Sequence, residues 1–150
     1  MKKKILYIDK NPDDYGNDEN FRIHSVREDY ILNGLRESYD VKMIYNLHSE
    51  ELETVLNQEN FDLLLTHLPF HPKLFNYEDS LRKLEGIIKN YSEMRVVVYT
   101  GADPRSVNYV HLKRIGVRGI VRKKIDDKWG SDKAEDFDNI KKCLERIFRD

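Results

Sequence analysis

Short apolar runs alternate along the chain with stretches in which apolar residues recur every three or four positions. Ile5-Leu6-Tyr7-Ile8 reads as a strand buried on both faces, closed by the turn residues Asp9-Lys10-Asn11-Pro12. The polar, acidic segment from Pro12 to Asn20 reads as an exposed loop. Ser25 and Glu28 have capping-box spacing and predict a helix that carries Val26, Tyr30, Ile31 and Leu35 inward and runs to about Glu37. Val41–Tyr45 predicts a second strand, and Ser49 can cap a helix bearing Leu52, Val55 and Leu56. Phe61–Thr66 predicts a third strand, and Leu81, Leu84, Ile87 and Ile88 a third helix. Arg95–Thr100 follows as the fourth strand. Asp103-Pro104 opens a helix with Val107, Val110, Leu112 and Ile115, which Gly116 ends. Val117–Val121 is a fifth strand, and Asp132 with Glu135 can cap a last helix presenting Phe137, Ile140, Leu144 and Ile147.

Nearly continuous apolar strands separated by amphipathic helices indicate an α/β domain with a single doubly wound, five-stranded parallel sheet of flavodoxin-like type and five helices. A chain of 150 residues holds one such unit, which excludes a two-domain enzyme. A formal net charge of −1 removes whole-chain basicity as an argument for a nucleic acid or an anionic membrane, and neither is expected as a partner. No apolar run approaches the roughly 18 residues that span a bilayer. The one cysteine, Cys143, excludes an internal disulfide framework and a Cys-rich zinc site, which suits a reducing compartment, with cytoplasm as the expectation. Its place between Ile140 and Ile147 predicts a buried small hydrophobe.

In open parallel sheets, chemistry gathers beyond the carboxyl ends of the strands, so the residues of interest are Asp9, Lys10, Asn46, Thr66, His67, Thr100 and Lys123. Ile5-Leu6-Tyr7-Ile8-Asp9, Phe61-Asp62-Leu63-Leu64-Leu65, Val96-Val97-Val98-Tyr99-Thr100-Gly101-Ala102 and Arg114-Ile115-Gly116-Val117-Arg118-Gly119 with Lys123 together resemble the receiver domain of two-component response regulators over nearly the whole chain. The resemblance implies the strand order 2-1-3-4-5 and a signalling role rather than an enzymatic one. It also locates the departures. Receivers hold Mg²⁺ with two adjacent acids after the first strand; here Asp9 fills the first place and Lys10 the second. The phosphoacceptor position, five residues after Asp62, is His67. Thr100 and Lys123 match the hydroxyl and lysine that contact the phosphoryl group, whereas Lys124 replaces the family's proline and Ile120 its aromatic switch residue.

Mg²⁺ demands oxygen ligation, and phosphoryl transfer depends on positioning and charge neutralisation, so this pattern predicts a degenerate receiver without cofactor or bound metal. Asp9, Lys10, His67, Thr100 and Lys123 would line its vacated pocket, with Lys10 pairing with Asp9 in place of the metal. Two other readings are an active phosphoacceptor using Asp13 or Asp14 for Mg²⁺ and His67 as nucleophile, and a small-anion or nucleotide site on Lys10, Thr100 and Lys123. His71 follows His67 at i+4, but in a proline-containing, loop-like stretch rather than on a helix. Trp129 reads either as a lid or as an exposed anchor. From Arg105 to Lys124 there are seven basic residues (Arg105, Lys113, Arg114, Arg118, Arg122, Lys123, Lys124) and no acid. In receivers the face of helix 4, strand 5 and helix 5 is the docking or dimer surface. The resemblance therefore implies a signalling partner with an acidic surface there, or a homodimer; the plain alternative is a solvated face balanced by Asp132, Glu135, Asp136 and Asp138. No output domain is expected within the chain.

Overall fold

The computed structural model describes residues 2–9, 18–68, 77–100, 109–123 and 133–149, with backbone only for 18–26 and 77. Five strands, β1 (Lys4–Asp9), β2 (Asp40–Tyr45), β3 (Leu63–His67), β4 (Arg95–Thr100) and β5 (Gly119–Arg122), alternate with α1 (Asp18–Arg36), α2 (Glu51–Gln58), α3 (Tyr77–Asn90), α4 (Tyr109–Ile115) and α5 (Lys133–Arg149). The sheet order is β2-β1-β3-β4-β5, parallel throughout. This is the doubly wound architecture that the apolar pattern predicts.

Strand alternation divides the core into two layers. Leu6, Ile8, Leu64, Val96 and Val98 face Leu52, Val55 and Leu56 of α2, Leu84 and Ile87 of α3 and Leu112 of α4. Ile5, Tyr7, Leu63, Leu65, Val97 and Tyr99 face Ile31, Leu32 and Leu35 of α1 and Ile140, Leu144 and Ile147 of α5. The inner strands are buried on both faces, which is why they read as unbroken apolar runs. Cys143 is buried among the α5 residues, as expected.

Several local expectations change. The first helix begins at Asp18, so Ser25 and Glu28 stand in its interior rather than at its start. Tyr30 is 41% exposed, meeting the Phe137 ring edge-on and lying under the Lys133 ammonium, while Val110 is 67% exposed and stands off the inner stripe of α4. The third strand runs from Leu63 through His67, and the fifth is shifted to Gly119–Arg122. Ser49 does act near the start of α2, where its hydroxyl accepts the Glu51 N–H at 3.1 Å. Asp103, Pro104, Val107 and Asp132 lie outside the described residues.

Gly116 ends α4 with φ +114°, a region that L side chains rarely adopt, and an added Cβ would stand 3.1 Å from Ile88. Gly116→Ala is expected to lower unfolding stability by about 1 kcal/mol, read as a lower urea midpoint at unchanged slope.

Candidate functional site

The parallel register sets Asp9 next to His67, and His67 directly opposite Tyr99, at the carboxyl ends of β1, β3 and β4. Alternation keeps Tyr7 on the same face, two residues before Asp9. α1 lies over that face. Glu28 precedes Ile31 and Leu32 by one turn on its buried stripe, so its carboxyl descends onto the strand ends. Lys123 follows β5, held there by its backbone N–H, which donates to the Thr100 carbonyl at 2.8 Å.

The side chains form a connected buried cluster. Asp9 is 6% exposed, Glu28 4% and His67 4%. The Tyr7 hydroxyl donates to Glu28 Oε2, and Arg27 Nε lies 3.2 Å from Glu28 Oε1. His67 Nε2 is 3.3 Å from Glu28 Oε2, 3.4 Å from Asp9 Oδ1 and 3.2 Å from the Tyr7 hydroxyl oxygen. On the other side of the ring, Lys123 Nζ is 2.8 Å from His67 Nδ1 and 4.9 Å from the centroid of the Tyr99 ring. An ammonium only donates, so Nδ1 accepts and the ring proton sits on Nε2, facing the carboxylates. Below this layer the Tyr99 hydroxyl donates to Asp136 Oδ2 at 2.9 Å.

Burial governs the electrostatics. Desolvation lifts the Glu28 carboxyl from 4.5 to about 7, with the Lys123 charge pulling the other way. Desolvation and the negative field of Glu28 push the Tyr99 hydroxyl well above its ordinary value, so it stays a donor.

Of the five residues expected to line the pocket, Asp9, His67 and Lys123 come together. Thr100 is buried at the end of β4, one residue past Tyr99 and so on the alternate phase of the strand, and it joins the cluster through its carbonyl. Lys10 lies outside the described residues, as do Asp13, Asp14, His71, Arg105, Lys124 and Trp129. On the basic face, Lys113, Arg114, Arg118 and Arg122 are all exposed, and none forms an ion pair among the described residues. Asp136 is not among the surface acids that could balance them: it is fully buried under Tyr99.

Glu28 is the functional residue that sequence reasoning misplaced. Its signal is an acid at the position one turn before Ile31 and Leu32, in phase with the stripe that enters the core.

The arrangement does not suit Mg²⁺, which takes oxygen ligands in a near-octahedral shell. An imidazole nitrogen stands at position 67, and an ammonium stands directly behind it.

The fold is that of solved receiver domains. The chemotaxis response regulator CheY4 of Vibrio cholerae matches with a TM-score of 0.64 at 14% identity, over 98% of this chain and 99% of that one. A CheY-like response regulator receiver domain protein from Methanospirillum hungatei matches at 0.60 and 21% identity, over 99% and 98% of the two chains. The response regulator RcsB of Salmonella typhimurium matches at 0.65 and 15% identity, over 99% of this chain and 60% of that one. No protein-family description matches the chain, and no curated protein does. Among the described residues, no helix is long and apolar enough to cross a membrane.

Proposed function

We propose that this chain is a degenerate receiver, a pseudo-receiver that works by phosphorylation-independent protein contact in a two-component or phosphorelay-type pathway. The observation that carries this reading is the position of His67 between Lys123 and the two carboxylates. In the resemblance drawn above, the lysine at position 123 answers to an acidic phosphoryl group on residue 67. Here it meets a neutral ring nitrogen 2.8 Å away, and the far nitrogen of that ring faces Asp9 and Glu28. The lysine has a standing partner that owes nothing to phosphorylation, and phosphoryl transfer has no acceptor carboxylate at position 67 and, among the described residues, no all-oxygen cage of the kind Mg²⁺ takes.

The partner surface in this reading is formed by α4 and β5. Lys113, Arg114, Arg118 and Arg122 project from it, with Arg105 and Lys124 continuing the charge run in sequence. A surface of one sign favours an acidic partner over a second copy of itself, because two like faces would repel.

The test is intact-mass spectrometry after incubation with Mg²⁺ and acetyl phosphate, beside an active receiver. The expected result is an unchanged mass; a gain of one phosphoryl group that EDTA abolishes would refute the reading. Charge reversal of Arg114, Arg118 and Arg122 to Glu is expected to remove salt-sensitive binding to the acidic partner while leaving the unfolding free energy within about 0.5 kcal/mol of wild type.

A further inference from the structure

Asp9, Glu28 and His67 bring two carboxylates and an imidazole from β1, α1 and β3 to one point, with their ligand atoms all within 4.8 Å of one another. The distances within this group are informative. His67 Nε2 lies 3.4 Å from Asp9 Oδ1 and 3.3 Å from Glu28 Oε2. N–H···O hydrogen bonds span about 2.7–3.2 Å, and one N–H serves one oxygen well at a time. Around a small cation with bonds of about 2.0–2.1 Å in tetrahedral array, donor atoms stand about 3.3–3.4 Å apart. The two contacts lie at the long end for hydrogen bonds and at the edge length of such a coordination shell, while the Tyr7 hydroxyl, 3.2 Å from Nε2 and donating to Glu28 Oε2, can accept the ring N–H in the metal-free state.

We propose that Asp9, Glu28 and His67 form a binding site for a transition-metal dication of the Zn²⁺ type, and that its occupancy governs Lys123. One nitrogen and two carboxylate oxygens suit Zn²⁺ and its first-row neighbours, whereas Mg²⁺ and Ca²⁺ take oxygen shells. Two carboxylate charges offset the dication, and three protein ligands leave a fourth position for water.

The link to Lys123 follows from the two faces of one ring. To ligate, His67 must present a bare Nε2, so the ring proton resides on Nδ1. The ring stays neutral: one proton leaves Nε2 and one is carried by Nδ1. That nitrogen lies 2.8 Å from Lys123 Nζ, which itself only donates. Donor then opposes donor, and the ammonium faces a dication through the ring. Metal ligation and the Lys123–His67 contact therefore exclude each other. Metal-ligating histidines ordinarily donate their second N–H to an acceptor, and here that place is held by a cation. By linkage, Lys123 weakens the metal by the factor with which the metal weakens the Lys123 contact. This inference goes beyond the phosphorylation-independent reading and is separable from it, since acetyl phosphate labelling and Zn²⁺ binding are independent measurements.

The experiment titrates the EDTA-stripped full chain with Zn²⁺, with Co²⁺ for its visible spectrum, and with Mg²⁺ as a control. One Zn²⁺ per chain is expected, together with the intense absorption of low-coordinate Co²⁺ and no Mg²⁺ binding at the same concentrations. Glu28→Gln and His67→Gln are each expected to lower Zn²⁺ affinity about 100-fold or more, and Lys123→Met to raise it about 10-fold. A gain of affinity is a result that structural damage does not produce. Circular dichroism checks each variant, and Glu28→Gln, which keeps the side-chain shape, carries the test should His67→Gln fail to fold. Wild-type protein that gives no Co²⁺ spectrum overturns the site. So does binding undiminished by Glu28→Gln and His67→Gln, which would assign the ion to surface imidazoles such as His48 or His111. Unchanged or weaker affinity in Lys123→Met overturns the coupling.

Discussion

Glu28→Gln is expected to remove most of the pH dependence of stability between pH 4.5 and 7 in the metal-free protein, and to make the variant more stable than wild type at pH 8. Desolvation raises the Glu28 carboxyl from 4.5 to about 7 in the folded chain. The folded state thus holds this proton more tightly than the unfolded state does. The stability it brings is fully present below pH 4.5 and is lost as pH rises through about 7. A displacement of that size corresponds to about 3 kcal/mol between the ends of the window. Glutamine keeps the shape and an oxygen for the Tyr7 hydroxyl but carries no charge to desolvate. Urea unfolding of both proteins in EDTA at pH 5, 6, 7 and 8 measures the effect. Parallel curves for variant and wild type would show that Glu28 ionises in the folded protein as easily as in water.

Gly119→Ala is expected to destabilise the chain by about 1–3 kcal/mol, the usual range for forcing atoms into a filled interior. An added Cβ on β5 would stand 2.5 Å from Cys143 Sγ, 3.5 Å from Ile147 Cδ1 and 3.7 Å from Val97 Cγ2. The sulfur hangs on a single rotatable bond from a buried position of α5, so the strain passes to the helix backbone. Cys143→Ala removes the obstructing atom. The double variant should therefore be more stable than the sum of the single effects allows, with a coupling of about 1 kcal/mol or more. Additive single effects would mean that the strand moves outward instead. Because β5 carries Arg122 and leads into Lys123, the same cycle reports how rigidly α5 holds the strand that presents them.

The sheet was the easiest part to read, for a physical reason. Inner parallel strands bury both faces, so Ile5–Ile8, Leu63–Leu65 and Val96–Val98 advertise themselves as unbroken apolar runs, and the polar residue that ends each run marks the working end of the sheet. That logic located Asp9, His67 and Lys123 together. Helix ends were harder. Ser25 and Glu28 satisfy a local capping pattern, yet the helix passes straight through them, because cap residues are also tolerated inside a helix when tertiary burial sustains it. The same misreading hid Glu28 from the site: a capping glutamate faces solvent, whereas this one points into the fold. Asp136 reads as a surface acid for a similar reason: nothing in a run of acids at the start of a helix distinguishes a solvated carboxylate from one met by a buried tyrosine three elements earlier. Phe137 and Tyr30 both read as members of apolar stripes, and their edge-on meeting between α1 and α5, with Tyr30 41% exposed, shows that Tyr30 sits at the rim.

The packing of α1 against α5 has a consequence for biosynthesis. Ile31, Leu32 and Leu35 share their apolar layer with Ile140, Leu144 and Ile147, more than a hundred positions later. On the ribosome, the α5-facing part of the α1 stripe stays uncovered until α5 has emerged, and loop closure over that distance makes the contact slow to form. Glu28 lies on that stripe. Its partners Tyr7 and His67 come from strands made early, whereas Lys123 is made only after β5, so the charge asymmetry of the pocket is complete only once that later segment brings its ammonium to His67.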